Sequence, residues 1–293
     1  MRIQTKVENG KAYLEFDLKD ETEKAVLIQI QDGENKEVFR CYYPFSEEEP
    51  AKAILLHPHL WNGPEDPYLY KIIVHSIDSE GEITESQTHF LALRTLEEME
   101  GKGWFLNGKP FEIRAVKWDA MDILKVRGVL SVLEELRSMG ANALYLPEDN
   151  CTEEFSQICA EMGFVIFQNV EKLEKSLPAC SQLFFLKAPF FTDFYYCYKA
   201  RWSKESFVYL SMNSIRKNEK GTLSLKVYSN QKKVALYIDG VLFEFLTGGQ
   251  EYLFEEIPVK KYPAVLTAEA GECRMAVTIY SGTQNFRSAN DGV

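Results

Sequence analysis

At 293 residues with 45% apolar side chains, the chain is long enough for one to three domains with sizeable cores. Its net charge of −11, from 44 acidic and 33 basic residues without a basic cluster, argues against nucleic acid or an anionic membrane surface as a partner. No apolar run approaches the roughly 18 residues of a membrane span, and the first residues lack the apolar core of a signal peptide. We therefore expect no membrane contact and a cytoplasmic location.

The cysteines and histidines are not spaced for metal binding. The six cysteines are scattered without C-x-x-C spacing, and all four histidines precede residue 90. His57 and His59 alternate and could share one face of a strand, but such a pair is more often a surface or capping feature than a ligand pair. We expect reduced thiols, no metal site and no cofactor.

Residues 1–98 show the alternation of apolar and polar side chains that is typical of half-buried β-strands. Strands are predicted at 12–18, 25–30, 38–42, 68–74 and 88–93. Turn signals such as Asn9-Gly10 and Asp32-Gly33 separate the runs. This pattern predicts an immunoglobulin-like β-sandwich, although the Cys…Trp…Cys framework of antibody domains is missing.

Residues 99–190 alternate short apolar strands with amphipathic helices. Helices are predicted at 126–140, 152–163 and 171–182, and strands at 111–118, 141–146, 164–170 and 183–187. Short loops and nearly continuous apolar strands favour a parallel sheet with helices packed on it, either an open layer or part of a barrel. A closed barrel of eight β/α units needs about 250 residues, so this segment has room for half of one at most.

Residues 191–293 return to the strand pattern. Strands are predicted at 207–210, 222–228, 234–238, 241–246, 252–257, 264–269 and 275–280. The turns at Asp239-Gly240 and Gly248-Gly249 support a second immunoglobulin-like β-sandwich. The aromatic cluster at 190–202 could bind a sugar, but we expect it mainly to pack the second sandwich against the middle domain.

Several motifs lie in the order of one known family. Residues 58–70 read PHLWNGPEDPYLY, residues 104–110 read WFLNGKP, and residues 155–165 contain the spacing F-x-x-x-C-x-E-x-G-F-V. They resemble motifs of the immunoglobulin-like domain and the first barrel strands of glycoside hydrolase family 2, the β-galactosidase and β-glucuronidase family. Residues 193–240 resemble its post-barrel β domain. Trp61 of the first motif is expected to be a core anchor.

The resemblance implies two immunoglobulin-like β-sandwiches, at 1–98 and 191–293, on either side of a truncated β/α barrel at 99–190. In the family, the acid/base is the glutamate of an Asn-Glu pair that ends strand four, and the nucleophile is a glutamate that ends strand seven. The only Asn-Glu pair here, Asn218-Glu219, lies in a charged turn of the C-terminal β region. Predicted strand four ends in Lys187-Ala188-Pro189 instead, and the truncated barrel has no strand seven, so neither catalytic carboxylate can be carried over.

Residues at the predicted strand ends are candidates to line any remaining pocket. Trp118 would stack on a sugar, and four others would bind its hydroxyl groups: Asp119, Tyr145, Asp149 and Asn169. The alternative is that these residues merely finish their strands.

Asp119 with Glu148 or Asp149 is a weaker candidate for a rebuilt catalytic pair. Neighbouring strands lie about 4.8 Å apart, close to the 5 to 5.5 Å between the carboxylates of a retaining glycosidase.

Two functional hypotheses follow. The first is a degenerate family 2-like protein that is not catalytic as a glycosidase and binds carbohydrate or another partner. The alternative is a β-galactosidase-like glycosidase whose site is rebuilt at the strand ends or completed by another chain. A half-barrel exposes a sheet edge and an apolar face, so we also consider a homodimer that covers them, with cover by 190–202 as the simpler solution.

Overall fold

The computed structural model describes residues 2–17, 25–44, 50–117, 128–146, 151–168, 184–185 and 193–281. They belong to two compact units. The first combines Met1–Trp118 with Asn142–Phe185, and the second combines Asp119–Ala141 with Leu186–Val293. Among the described helices, none has the length and the apolar character that crossing a bilayer requires.

The first unit begins with a β-sandwich. Its strands are β1 (Arg2–Glu8), β2 (Lys11–Asp17), β3 (Ala25–Gln31), β4 (Glu37–Pro44), β5 (Ala51–Leu56), β6 (Tyr70–Ile77) and β7 (Ile83–Leu91). They form two antiparallel sheets with the orders β1-β2-β5 and β4-β3-β6-β7. Alternate side chains of β2 (Ala12, Leu14 and Phe16) are buried in the core, as the period of two requires. The predicted β-sandwich is confirmed here.

A small antiparallel sheet and a parallel sheet complete the first unit. The antiparallel strands are β8 (Leu96–Met99), β9 (Gly103–Leu106) and β10 (Lys109–Pro110). The parallel strands are β11 (Ala115–Lys117), β12 (Ala143–Tyr145), β13 (Val165–Phe167) and β14 (Phe184–Phe185), in the order β13-β12-β11-β14. The predicted parallel pairing is therefore present over short strands.

The position of β14 differs from what a half-barrel with its strands in chain order predicts. That arrangement would place the fourth strand beside the third, whereas β14 pairs in parallel with β11, with Phe184 opposite Val116. Residues 168–183 connect β13 to β14, which is enough chain to span three strand spacings of about 4.8 Å. The fourth strand thus lies beside the first, where the last strand of a closed barrel lies.

Three helices are described: α1 (Val129–Met139), α2 (Glu153–Glu161) and α3 (Asp193–Trp202). The first two confirm predicted helices. In α2, the hydroxyl of Thr152 accepts a hydrogen bond from the backbone N–H of Phe155 at 3.2 Å, a standard N-cap. In α1, four side chains of one stripe are buried: Val132, Leu133, Leu136 and Met139. The third helix predicted, at 171–182, lies outside the described residues.

A second hydrophobic cluster in the first unit joins the sandwich to the parallel sheet. Trp61 is fully buried there, next to Trp104, Ala115 and Val165. The indole Nε1–H of Trp61 donates a hydrogen bond to the carbonyl oxygen of Ala160 at 2.8 Å. Trp61 therefore packs as a core anchor, as predicted.

Asn142 fixes the backbone that leads into β11. Its Oδ1 accepts a hydrogen bond from the backbone N–H of Arg114 at 2.8 Å, and its Nδ2 donates to the carbonyl oxygen of Glu112 at 2.8 Å. The side chain is only 5% exposed. One buried amide thus replaces the backbone hydrogen bonds that this segment lacks just before its strand begins.

Asn142→Ala is expected to lower the free energy of unfolding by about 2 kcal/mol, because both backbone groups lose a buried partner. Urea unfolding followed by circular dichroism would measure the change. Asn213→Ala is the control, since Asn213 is exposed and surface substitutions of this kind stay within about 0.5 kcal/mol. A loss for Asn142→Ala no larger than the control would contradict this role.

The second unit contains the second β-sandwich. Its strands are β15 (Val208–Leu210), β16 (Arg216–Lys217), β17 (Leu223–Ser229), β18 (Lys233–Ile238), β19 (Val241–Thr247), β20 (Glu251–Ile257), β21 (Ala264–Ala270) and β22 (Cys273–Ile279). One sheet contains β15, β16, β17 and β20, and the other has the order β19-β18-β21-β22. Their inner faces share one core, which includes Leu225, Val234, Phe254 and Leu266. The second predicted β-sandwich is confirmed.

Residues 193–202 form a helix rather than the start of the strand region that the sequence predicts. The run is rich in aromatic residues, which favour strands, but Asp193 in the first turn and Lys199 and Arg201 in the last suit the helix dipole. Packing then decides the conformation, since α3 contacts α1 and the outer side of β17.

Candidate functional site

Only part of the pocket predicted at the strand ends falls within the described residues. Tyr145 ends β12, in register with Lys117 of β11 and Phe167 of β13. The remaining candidates lie outside the described residues: Trp118, Asp119, Glu148, Asp149 and Asn169. Their grouping at one edge of the sheet stays a prediction.

The described strand ends are mainly aromatic. Tyr145 is half-buried and packs with the cluster that contains Trp61, and Phe167 meets the edge of the Trp104 ring at a centroid distance of 5.2 Å. The ammonium of Lys117 lies 6.0 Å from the centre of the Tyr145 ring. Within the described ranges, no carboxylate lies at the end of β11, β12 or β13. Tyr145 thus packs against this cluster, and its role in a pocket stays a prediction.

The only Asn-Glu pair of the sequence lies far along the chain, in a tight turn of the second unit. The side-chain oxygen of Asn218 accepts a hydrogen bond from the backbone N–H of Thr222 at 3.0 Å, and its Nδ2 donates to the Thr222 hydroxyl at 2.6 Å. Asn218 therefore closes the turn between β16 and β17, as the charged-turn interpretation predicts.

The sequence did not predict a cleft of about 300 Å³ in the second unit. It lies between α1 and α3 and is lined by six side chains: Glu134, Glu135, Ser138, Tyr195, Tyr196 and Lys199. Residues three and four apart share one side of a helix, which explains how each helix presents three of them to the cleft. The buried stripe of α1 lies beside its cleft-lining face.

Two polar contacts hold the helices together across the cleft. Lys199 Nζ donates a hydrogen bond to Ser138 Oγ at 2.8 Å. The hydroxyl of Tyr195 donates to the backbone carbonyl oxygen of Glu135 at 3.3 Å. The ammonium of Lys199 also lies 5.5 Å from the centre of the Phe207 ring, within the range of a cation–π contact. These contacts fix the positions of a hydroxyl and an ammonium in the cleft.

Aromatic rings form another wall of the cleft. Tyr196 stacks on Tyr209 of β15, with ring centroids 3.4 Å apart and an interplanar angle of 7°. Tyr195 meets the Tyr196 ring edge-on at 5.1 Å. Burial raises the pKa of Tyr195 to about 12 and raises the pKa of Tyr196 as well. Both phenols therefore stay protonated at neutral pH and keep an O–H donor.

The described residues offer hydrogen-bonding groups but no metal centre. In the part of the chain that the structure describes, no three His, Cys, Asp or Glu side chains are grouped to hold a metal ion. The cleft instead combines carboxylates, an ammonium, hydroxyls and aromatic rings, which suits a polar ligand with both donors and acceptors. The sequence contained a signal for this cleft, because residues with polar groups recur at spacings of three and four in both helices.

Solved structures share this architecture of two β-sandwiches with a parallel sheet between them in sequence. The FMN-binding β-glucuronidase from Facaelibacterium prausnitzii L2-6 superposes with a TM-score of 0.76 at 13% identity, over 95% of this chain and 73% of that one. A putative β-galactosidase from Bacteroides fragilis superposes with a TM-score of 0.68 at 14% identity, over 94% and 72%. The fold is therefore that of multidomain glycosidases.

Sequence comparison finds relatives in the same group of proteins. Residues 1–94 match the model of glycosyl hydrolases family 2. The β-glucuronidase of Bacteroides fragilis is 31% identical over 103 residues, which are 33% of this chain and 15% of that protein. The chain is thus related to glycosyl hydrolases family 2 through its first domain and spans a small part of its curated relatives.

Proposed function

We propose that this is a glycoside hydrolase family 2-like protein that binds carbohydrate and does not hydrolyse glycosides. The observation that carries the proposal is the position of the only Asn-Glu pair of the sequence, Asn218-Glu219, which lies in a turn of the second unit and not at an end of a parallel strand. A retaining glycosidase needs two carboxylates about 5 to 5.5 Å apart at this face of its barrel. The sequence has no counterpart of either family glutamate.

The order of the parallel strands supports a barrel that lacks its middle strands. Strands β11, β12 and β13 follow one another as the first three strands of a barrel do, and β14 pairs with β11 as a last strand does. We propose that the chain keeps these four strands and lacks the four between the third and the last. The strands that carry both catalytic glutamates in the family are among the missing ones.

A homodimer remains part of this proposal. Within the described residues, β13 and β14 each pair on one side only, so each leaves backbone groups available to another strand. A second copy could cover these edges or complete a site, which is how the chain would serve as a glycosidase. Light scattering of the purified chain tests this, and a monomer at micromolar concentration excludes it.

The proposal predicts no turnover of aryl β-galactosides, β-glucosides, β-glucuronides or β-mannosides. The β-glucuronidase of Bacteroides fragilis, assayed in parallel, shows that the conditions support hydrolysis of the aryl β-glucuronide. The chain itself should give no release of the aryl group above buffer.

Hydrolysis that persists through purification and is lost in Asp119→Asn or Glu148→Gln would contradict the proposal. It would instead support a catalytic pair rebuilt at the strand ends. Turnover that both variants retain would point to a contaminating enzyme, which a second affinity step would then remove.

A further inference from the structure

We propose that the cleft between α1 and α3 is the carbohydrate site of this chain and takes a neutral sugar of one or two units. This inference rests on the carbohydrate-binding function proposed above and assigns it to named residues. All six lining side chains belong to the second unit, so the site is formed within that unit alone. None of its lining residues is among the strand-end candidates Trp118, Asp119, Tyr145, Asp149 and Asn169.

The size of the cleft favours a small ligand. Its volume of about 300 Å³ lies at the lower end of the range for small-molecule sites, about 300 to 1,000 Å³. An extended polysaccharide needs a long groove with repeated binding positions, whereas this cleft ends within two turns of each helix. A monosaccharide or a disaccharide matches it.

The polar groups match hydroxyls, which both donate and accept hydrogen bonds. The carboxylates of Glu134 and Glu135 are acceptors, and the ammonium of Lys199 is a donor. Within the described residues, Lys199 donates one hydrogen bond, to Ser138, and forms no ion pair, so two of its three N–H groups remain for a ligand or water. A sugar hydroxyl between these charged groups would form the stronger, charge-assisted type of hydrogen bond.

The balance of charge in the cleft favours a neutral ligand. Two carboxylates face one ammonium, so an anionic sugar would gain from Lys199 but be repelled by Glu134 and Glu135. A cationic ligand would be attracted by the two carboxylates but repelled by Lys199. A neutral polyol avoids both conflicts and still uses every charged group as a hydrogen-bond partner.

The tyrosines supply the apolar part of the site. Tyr196 is held by its stacking on Tyr209, so ordering it costs little entropy when a ligand binds. An aromatic face carries negative quadrupole charge and attracts the weakly positive C–H groups of a sugar ring. The wall formed by Tyr195 and Tyr196 thus complements the charged side chains of Glu134, Glu135 and Lys199. This combination suits a sugar ring, which has apolar C–H groups as well as polar hydroxyls.

Isothermal titration calorimetry of the full chain tests the inference, with five neutral sugars (glucose, galactose, mannose, lactose and cellobiose) and two anionic ones (glucuronate and galacturonate). Two variants remove one charged group each: Lys199→Met and Glu134→Gln. Each should weaken binding by about tenfold or more, because a hydrogen bond to a charged group is lost. Lys220→Met is the matched control, since Lys220 pairs with Glu256 at an exposed position and does not line the cleft, and its affinity should equal that of the unchanged chain.

The outcomes separate this inference from the proposed function. Binding that all three variants retain would overturn the cleft as the site and leave carbohydrate binding in place. No binding of any sugar by the unchanged chain would overturn both. Tighter binding of glucuronate or galacturonate than of the neutral sugars would overturn the assignment of a neutral ligand. Circular dichroism melting curves of each variant confirm that an affinity loss is not caused by unfolding.

Discussion

Gly163→Ala is expected to lower the free energy of unfolding of the first unit by about 2 to 5 kcal/mol. Gly163 follows α2 with φ at +84°, and a Cβ atom there would lie 2.5 Å from the backbone nitrogen of Pro64 and 2.7 Å from the carbonyl carbon of Gly63. A left-handed conformation costs an L-residue about 1 to 2 kcal/mol. Overpacking against atoms that cannot rotate away adds about 1 to 3 kcal/mol.

Gly81→Ala separates the two contributions. Gly81 has almost the same φ, +90°, but a Cβ atom there would meet nothing within 4 Å. Gly81→Ala should therefore lower the free energy of unfolding only by the cost of the left-handed conformation, about 1 to 2 kcal/mol. Urea unfolding of both variants gives the comparison, and equal losses would show that the approach of Pro64 to Gly163 is not close enough to matter.

The result bears on the family motif that runs from Pro58 to Tyr70. Gly63 and Pro64 belong to that motif, and the backbone of Gly163 leaves no room for a side chain between them and the end of α2. The motif is therefore a packing surface for the α/β part of the first unit. Its signature residues report on architecture, and they carry no information about whether the chain hydrolyses a glycoside.

Most strands of both sandwiches were predictable because their environment is regular, although β5 and β16 were not predicted. In β20, Tyr252 and Phe254 are buried while Glu251 and Leu253 are exposed, so burial follows the period of two in the sequence. β1 escaped prediction because its sequence, RIQTKVE, has only Ile3 and Val7 as apolar residues. It is a strand because its whole length pairs with β2, from Arg2 with Asp17 to Glu8 with Lys11.

Elements decided by long-range contacts were not predictable. The sequence predicted no helix at α3, whose many aromatic residues favour strands, and the packing of α3 against α1 and β17 is not visible in the sequence. The neighbour of β14 depends on which sheet edge is available, and its two residues carry no signal for that choice. Local preferences are worth tenths of a kcal/mol per residue, which tertiary packing easily exceeds.

For the candidate site, too, local features were predictable from the sequence and long-range contacts were not. Tyr145 was correctly placed at a strand end, but its partial burial with the Trp61 cluster could not be known without the fold. The cleft depends on Ser138 and Lys199, which are 61 residues apart in sequence and 2.8 Å apart in space. Periodicity finds a helix face, and only the packing of two helices shows that two such faces meet.

Trp61→Ala should destabilise the first unit by about 3 to 5 kcal/mol, the usual cost of truncating a buried aromatic residue. Its ring is fully buried in the cluster between the sandwich and the parallel sheet. It also covers the guanidinium of Arg94, whose carbon lies 4.2 Å from the ring centre. Burial lowers the pKa of Arg94 to about 10, so the group is still charged at neutral pH and depends on that aromatic face.

Trp61→Phe keeps a ring at this position and removes the indole N–H. The carbonyl oxygen of Ala160 would still accept a hydrogen bond from the backbone N–H of Gly163 at 3.1 Å, so no buried acceptor is left without a partner. The expected loss is therefore only about 1 to 2 kcal/mol. Tyr42→Ala, at an exposed aromatic residue of β4, should change stability by less than about 1 kcal/mol.

These three variants decide what Trp61 does. Urea unfolding should show the largest loss of stability for Trp61→Ala, a smaller one for Trp61→Phe and the smallest for Tyr42→Ala. That order means that the indole ring holds the sandwich and the parallel sheet together as one cooperative part. An unchanged stability in Trp61→Ala would mean that the ring is dispensable for packing. The similarity of the fold to a solved structure that is only 13% identical would then need another explanation than a core that must be kept.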